Sequence, residues 1–290
     1  MSKPLIGITT KSCHISGQAS SPLGIFDSGV GGLSVLRAVR RLLPGEPVIY
    51  LADQGHVPYG ARPLEEVRGF SESITRFFLE QGVKLIVVAC NTASAAALQY
   101  LRQIFPGVPF VGMEPAIKPA AEHTRTRVVG VLATPATFQG ALYASVVERF
   151  AHDVTLLQDT CPGLVKSIEA GHLDTPETQA ILMDALLPML ERGIDTVVLG
   201  CTHYPVVIPL IQRIVGAEVR VIDPAPAVAR QVGRLLDTSG MRSPGQEPGR
   251  LRFYTSGSVT SFASFLPELL GETGPVQSFH WVGESRLVIA

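Results

Sequence analysis

Two cysteines, Cys90 and Cys201, occupy matching places in two similar stretches of the sequence. Each follows an apolar run that is typical of a buried strand, and each precedes residues that we expect to begin a helix. In open α/β sheets, ligands bind beyond the carboxyl ends of the strands. The free N–H groups and the dipole at a helix N-terminus favour thiolate, so we expect the pKa of each cysteine to fall below about 8.5. The pair is therefore a candidate for two catalytic thiols.

Two thiols serve in three kinds of site. Redox disulfides usually join cysteines that lie close in sequence, as in C-x-x-C, whereas Cys90 and Cys201 are far apart. Cys201 and His203 are too close for the common spacing of zinc ligands, and the sequence offers no evident second pair, so we predict no metal site. In two-base proton transfer, one thiolate removes a proton from one face of a carbon and the other thiol returns a proton to the opposite face. This last chemistry inverts a stereocentre and suits a protein with one thiol in each half.

Two titratable residues stand where they could assist the thiols. Asp27 ends the first predicted strand, from which it can lie close to Cys90 and share a proton. His203 follows Cys201 by two positions, and its ordinary pKa near 6.5 suits it to the same task at the second thiol.

Polar and glycine residues surround these candidates. The loop Gly29–Gly32 lacks both the P-loop pattern and G-x-G-x-x-G, so we interpret it as a set of backbone N–H groups that hold a carboxylate. Ser28, Asn91 and Thr92 are candidates for hydrogen bonds to an amino-acid headgroup.

Strands and helices alternate along the first half of the chain. The pattern predicts strands over 23–26, 48–51, 84–89 and 108–111. Helices are predicted over about 33–43, 64–81 and 93–102. This alternation indicates an α/β fold with a mostly parallel sheet, and the continuous apolar strands indicate a sheet that is covered on both faces.

The second half of the chain repeats landmarks of the first in the same order. Residues 128–134 resemble 23–28, residues 193–202 resemble 82–91, and residues 221–225 resemble 111–116. We therefore predict two pseudo-symmetric α/β domains, each with a mostly parallel sheet flanked by helices, and an active site in the cleft between them. The first domain would combine 22–113 with 223–290, the second would be 114–222, and residues 1–21 would be an N-terminal extension.

Composition excludes several classes of protein. The 290 residues carry 24 Lys and Arg against 25 Asp and Glu, and the net charge of −1 without a basic cluster argues against a nucleic-acid partner. The mean hydropathy is +0.28, yet no apolar run approaches the roughly 20 residues of a membrane span. The N-terminus has no sustained apolar core of a secretory signal. With sparse cysteines, these features predict a cytoplasmic protein with reduced thiols and no membrane partner.

Four motifs carry a resemblance to a known family. They are Phe26-Asp27-Ser28-Gly29-Val30-Gly31-Gly32, Val57-Pro58-Tyr59-Gly60, Ala89-Cys90-Asn91-Thr92 and Gly200-Cys201-Thr202-His203-Tyr204-Pro205. In order and spacing they resemble the signatures of the glutamate racemases, which belong to the cofactor-independent, two-cysteine aspartate/glutamate racemases. Phe253-Tyr254-Thr255-Ser256-Gly257 resembles the C-terminal segment of that family.

The resemblance implies an isomerase that interconverts L- and D-glutamate without a cofactor and supplies D-glutamate for peptidoglycan. It implies that Cys90 deprotonates D-glutamate, that Cys201 deprotonates L-glutamate, and that Asp27 and His203 assist them. The stretch that begins Cys161-Pro162 resembles a family segment that supports the second half-site, which makes Glu169 a further candidate. The implied substrate shell is Asp27, Ser28, Tyr59, Gly60, Asn91, Thr92, Thr202 and His203.

Partners follow from the same resemblance. Some bacterial relatives with N-terminal extensions are activated by the cell-wall precursor UDP-MurNAc-L-alanine, so we hypothesise this activator for residues 1–21. Relatives are often dimers, which predicts a homodimer. Aspartate or hydantoin racemases share the two-thiol chemistry and stay open as alternatives, as does a non-catalytic protein that binds amino acids.

Overall fold

A computed structural model of the chain describes residues 18–245, 247–283 and 286–289. The predicted extension of residues 1–21 lies outside these residues, except for 18–21, and so does Cys13. The strands are β1 (Leu23–Asp27), β2 (Val48–Ala52), β3 (Leu85–Val88), β4 (Phe110–Gly112), β5 (Val128–Ala133), β6 (Thr155–Asp159), β7 (Thr196–Gly200), β8 (Arg220–Ile222), β9 (Leu251–Thr255), β10 (Val276–Val282) and β11 (Arg286–Ile289).

The helices alternate with the strands. They are α1 (Leu33–Leu42), α2 (Leu64–Glu80), α3 (Asn91–Ile104), α4 (Ile117–His123), α5 (Pro135–Gln139), α6 (Ala141–Phe150), α7 (Leu164–Glu169), α8 (Pro176–Glu191), α9 (Ile208–Val215), α10 (Ala225–Thr238) and α11 (Val259–Phe265). A π-helical turn, Leu266–Leu270, continues from α11. Every strand and helix that the sequence predicts in the first half is present, with ends that differ by a few residues.

The strands form two sheets. A seven-stranded sheet has the order β11-β10-β9-β2-β1-β3-β4, and a four-stranded sheet has the order β6-β5-β7-β8. All pairings are parallel except the one between β10 and β11 at the edge of the larger sheet. The α/β class with parallel sheets flanked by helices is therefore confirmed.

The two sheets repeat one strand order. The order β2-β1-β3-β4 in the larger sheet matches β6-β5-β7-β8 in the smaller one. The recurring landmarks of the sequence thus fall on equivalent strands, β1 with β5, β3 with β7 and β4 with β8. In consequence, Cys90 and Cys201 follow equivalent strands of two similar sheets.

Part of the apolar core is common to the two halves. The central strands β1, β2, β3 and β7 are buried along their whole length, as the uninterrupted apolar runs predict. The largest apolar cluster contains buried residues of both sheets, and α10 returns from the second half to pack on α1. The chain passes from one sheet to the other between β4 and β5 and again between β8 and β9. The domain limits at residues 113–114 and 222–223 stay a prediction.

Within residues 18–245, 247–283 and 286–289, no helix has both the length and the apolar composition needed to cross a bilayer.

Candidate active site

Both thiols line one cavity at the carboxyl ends of the central strands. The cavity is small, with a volume of about 10 Å³. Its wall consists of Ser28, Pro58, Tyr59, Gly60, Cys90, Asn91, Thr92, Thr134, Val165, Cys201, Thr202 and His203. The structure therefore brings together nearly all of the residues that the sequence singles out, although Asp27 and Glu169 stand behind this wall rather than in it.

Cys90 caps a helix. It is the N-cap residue of α3, and its Sγ accepts a hydrogen bond from the backbone N–H of Ala93 at 3.4 Å. The expectation of a lowered pKa is wrong here, because burial, followed by the nearby charge of Asp27, raises the pKa of the Cys90 thiol well above its ordinary value. The N–H groups of Ala93 and Ser28 act in the opposite direction but do not outweigh burial.

Cys201 does not begin a helix. A turn and a short 3-10 segment, Tyr204–Val207, separate it from α9, so the expected helix N-terminus at this thiol is wrong. The imidazole ring of His203 lies beside this thiol instead, with 3.8 Å between Cys201 Sγ and His203 Nδ1. The second thiol therefore has an imidazole in the place where the first has a helix N-terminus.

His203 is paired with a carboxylate. Its Nε2 lies 2.6 Å from Oε1 of Glu169, and both side chains are largely buried. Burial opposes the charged ring, but the hydrogen bonds and charges of Cys201 and Glu169 outweigh it and raise the pKa of His203 well above 6.5. Burial likewise raises the pKa of Glu169, but the hydrogen bond and charge of His203 prevail and hold that pKa below its ordinary value. The pair therefore favours imidazolium beside carboxylate.

Glu169 is held from the other half of the molecule. The backbone N–H of Val30 donates to Glu169 Oε1 at 2.7 Å, and Gln54 Nε2 donates to Oε2 at 2.9 Å. The structure thus places Glu169, at the end of α7, beside His203.

Asp27 is fully buried and accepts three hydrogen bonds. Its Oδ2 accepts hydrogen bonds from the backbone N–H groups of Gly29 and Gly32, each at 3.0 Å, and Oδ1 accepts from Thr202 Oγ1 at 3.1 Å. Burial nevertheless raises the pKa of Asp27, because desolvation exceeds the lowering by His203 and by these N–H groups. Asp27 acts on Cys90 through its charge, and its hydrogen bond to Thr202 connects the two halves.

The glycine loop serves protein carboxylates. The N–H groups of Gly29, Val30 and Gly32 donate to Asp27 and Glu169, so the interpretation of this loop as a cradle for a ligand carboxylate is wrong. The glycines also make room, because a Cβ on Gly29 would lie 1.9 Å from Glu169 Oε1 and one on Gly31 would lie 2.6 Å from His203 Nδ1. Glycines fit this loop because the side chains of Glu169 and His203 approach its backbone.

Asn91 has an unsatisfied amide. Both its Oδ1 and its Nδ2 are buried and have no hydrogen-bond partner in the described part of the chain. An unpaired buried polar group lowers the stability of the fold, so such an amide on a cavity wall is a candidate for binding a ligand. Next to it, Thr92 Oγ1 lies 2.8 Å from Thr134 Oγ1.

The loop that contains Tyr59 and Gly60 closes one side of the cavity. The Tyr59 hydroxyl donates to Asp53 Oδ2 at 2.7 Å, so its ring lines the cavity while its polar end is already used. Gly60 packs on Thr134, where a Cβ would lie 2.5 Å from the threonine Cβ. A cis peptide bond joins Val57 to Pro58 in this loop.

Sequence reasoning missed several residues of the site. Thr134 lies on the cavity wall and caps α5, and it follows β5 as Ser28 follows β1, so the internal repeat could have indicated it. Val165 and Gln54 carry no comparable signal, because an apolar residue on a short helix and a loop glutamine are both ordinary. Among the described residues, no group of three or more His, Cys, Asp or Glu side chains is arranged to hold a metal ion.

The chain is similar to known racemases in sequence and in fold. The sequence profile of the Asp/Glu/Hydantoin racemase family matches residues 31–232. A glutamate racemase of Roseiflexus sp. (strain RS-1) is 49% identical over 256 residues, which are 88% of this chain and 94% of the relative.

Two crystal structures share the fold. A glutamate racemase of Bacillus anthracis is similar with a TM-score of 0.80 and 34% identity, over 89% of this chain and 97% of that one. The glutamate racemase of Escherichia coli, in complex with L-glutamate and the activator UDP-MurNAc-ala, is similar with a TM-score of 0.78 and 30% identity. That match covers 91% of this chain and all of the other.

Proposed function

The chain belongs to the Asp/Glu/Hydantoin racemase family, and on that premise we propose that it interconverts L-glutamate and D-glutamate by transfer of the α-proton between two thiols. The observation that carries this proposal is that Cys90 and Cys201, which follow equivalent strands of two sheets, line a single cavity. A carbon held between two such thiols can lose a proton from one face and gain one on the other. The substrate and the product are enantiomers, so the equilibrium constant of the reaction is one.

Each thiol is proposed to act as the base for one enantiomer. Cys201 takes the α-proton from L-glutamate and Cys90 gives a proton to the opposite face, which yields D-glutamate. In the reverse reaction Cys90 is the base and Cys201 the acid. Each turnover therefore leaves the two thiols with exchanged protonation states, and the neighbouring acid–base groups must restore them before the next substrate of the same hand binds.

The helpers suit this exchange. His203, with Glu169 behind it, can hold a proton beside Cys201, and the buried carboxylate of Asp27 stands near Cys90. Because burial raises the pKa of the Cys90 thiol, a positive charge near it is needed to favour thiolate, and the ammonium group of the amino acid supplies one. Substrate binding itself would thus activate the base.

Uncharged donors and acceptors would hold the substrate. The unsatisfied amide of Asn91, with Ser28 and Thr92 at the same wall, can bind a carboxylate and an ammonium group. Tyr59, Gly60 and Thr202 complete the uncharged part of the proposed shell, and His203 adds a charged donor. Exclusion of water from this small cavity would strengthen these interactions in the transition state.

Incubation in D₂O tests the function directly. The protein is mixed with L-glutamate, and separately with L-aspartate, without added cofactor, while optical rotation and the NMR signal of the α-proton are followed. Decay of rotation to zero with loss of the α-proton, for glutamate only, is the expected result. Activity on aspartate alone would keep the two-thiol mechanism and refute the substrate. Inactivity on both amino acids, with and without added UDP-MurNAc-L-alanine, would refute the function.

We extend the proposal to physiology and partners. The enzyme would work without a cofactor, in the cytoplasm, as a homodimer, and would supply D-glutamate for peptidoglycan. The E. coli protein was crystallised with UDP-MurNAc-ala, which supports the same nucleotide as an activator here.

Activation and assembly have separate tests. Racemisation is measured with and without UDP-MurNAc-L-alanine, for the full chain and for a variant that lacks residues 2–20. Stimulation of the full chain alone is expected, and equal stimulation of both would refute a role for the extension. Sedimentation of the full chain at twice the monomer mass of 31.0 kDa is expected for the homodimer.

A further inference from the structure

Gln54 connects the larger sheet to the Cys201 half-site. It lies in the loop after β2, and its Nε2 donates to Glu169 Oε2 at 2.9 Å. Its Oε1 accepts a hydrogen bond from Thr255 Oγ1, at the end of β9, also at 2.9 Å. One amide thus bridges the ends of two neighbouring strands and the carboxylate that meets His203.

The hydrogen bonds leave only one orientation for this amide. Thr255 Oγ1 accepts from the backbone N–H of Gly257 at 3.0 Å, so its own proton is free to donate to Gln54 Oε1. The Gln54 NH₂ group must then face Glu169, which accepts. Thr255 is fully buried, and a Cβ on Gly257 would lie 2.8 Å from Gln54 Cβ, so the glutamine is also confined sterically.

We propose that Gln54, held by Thr255, is a positioning residue that fixes the Glu169 carboxylate with Oε1 toward the ring of His203. The inference rests on the proposed racemase function and assigns a task within its Cys201 half-site. Glu169 has two anchors besides His203, namely Val30 N–H on Oε1 and Gln54 on Oε2. Without Gln54 the carboxylate can turn about the remaining anchor, and His203 loses its fixed partner.

Gln54 acts at a distance from substrate. Within the described residues, it is not part of the cavity wall, so it has no direct means of changing substrate affinity. Its hydrogen bond does stabilise the charged form of Glu169 and contributes to the lowered pKa of that carboxyl. Three other titratable groups interact with Glu169, namely His203, Asp27 and Tyr50. All three residues stay in place in a Gln54 variant.

The test replaces each partner of the bridge. Gln54→Leu keeps the approximate size and removes both hydrogen bonds, and we expect kcat to fall about 10-fold to 100-fold, as for loss of one hydrogen bond to a charged group. KM should change less than about two-fold, because ground-state binding is untouched. The acidic limb of the kcat–pH profile should move to higher pH, since the Glu169 carboxylate loses a donor that favours its charged form.

A conservative pair keeps the proposal testable where Gln54→Leu fails to fold. Thr255→Val removes the donor that orients the amide, whereas Thr255→Ser retains it, so only the valine variant should show the lower kcat and the shifted limb. Gln99→Leu, at an exposed position of α3, is the matched control for a Gln-to-Leu change.

Three results would overturn the inference. They are wild-type kcat in Gln54→Leu, a lower kcat with an unmoved acidic limb, and equal losses in Thr255→Val and Thr255→Ser, since the last two indicate a merely structural bridge. Failure of the proposed function is distinguishable, because the wild-type protein would then be inactive on glutamate.

Discussion

The Cys90 and Cys201 half-sites follow equivalent strands but use different chemistry around the thiol. At Cys90 the chain enters α3 at once, and the backbone N–H of Ala93 donates to the sulfur. At Cys201 the chain first makes a turn, which places His203 beside the sulfur and Glu169 behind the ring. Equal positions in a repeated sheet therefore fix where the thiols lie but not what assists them.

The two halves also depend on one another. Glu169 of the second half is held by Val30 and Gln54 of the first, and Asp27 of the first half accepts from Thr202 of the second. Each helper carboxylate is thus positioned across the cleft. A displacement of one half relative to the other should disturb both thiols at once, so substitutions are needed to separate them.

Removal of either thiol should have the largest effect. We expect Cys90→Ser and Cys201→Ser each to lower kcat by about 10³-fold or more, since a serine hydroxyl is far less acidic than a thiol and so supplies neither the ionised base nor an efficient proton donor near neutral pH. Glutamate binding, measured by calorimetry, should persist in both because the polar wall is intact. Full turnover by either variant would refute the need for two bases.

Loss of a helper carboxylate should have the next largest effect and should separate the halves. Glu169→Gln removes the charge that stabilises protonated His203, and we expect kcat to fall about 10²-fold. The variant should also react more slowly with iodoacetamide at Cys201, because His203, which lies 3.8 Å from that sulfur, is less often positively charged. Mass spectrometry of both peptides gives the comparison.

Asp27→Asn is the matched change in the other half. It removes the charge that disfavours the Cys90 thiolate, so alkylation at Cys90 should speed up while Cys201 changes little. If both variants alter both thiols equally, the two half-sites do not act separately.

The Cys90 thiol should show a steep dependence on pH. Burial raises its pKa, so the thiolate fraction at neutral pH is small and should rise about tenfold per pH unit. Alkylation of Cys90 in the absence of substrate should therefore increase through pH 9 without a plateau. A plateau near pH 7 would show that helix α3 outweighs desolvation, as the sequence alone suggested.

The architecture could be predicted from the sequence because the fold depends on local features, which a sequence pattern shows directly. Uninterrupted apolar runs specify β1, β3 and β7, and their recurrence specifies the equivalent placement of the thiols. The failures lie where the outcome depends on distances between remote segments. The Gly29–Gly32 loop donates a hydrogen bond to Glu169, which is remote in sequence. Burial makes the shift of the Cys90 pKa opposite in direction to the expected one. A local pattern shows neither how burial and the helix N-terminus compete to set the pKa of Cys90 nor how α7 approaches the glycine loop.

Loss of the unsatisfied amide should have the smallest effect and should not distinguish the two halves. Asn91 follows Cys90 in sequence, but it lines a cavity that both thiols share, and its Oδ1 and Nδ2 have no hydrogen-bond partner among the described residues. Asn91→Ala should raise KM for L- and D-glutamate together, by about five-fold to tenfold, as for one lost hydrogen bond. Because the two enantiomers have equal free energy, kcat/KM must stay equal in the two directions in any variant, so the informative quantity is KM for each enantiomer. Ser264→Ala, on an exposed face of α11, is a control that should leave both values unchanged. A change in KM for one enantiomer only would place the amide in a single half-site, and the shared wall would then be wrong.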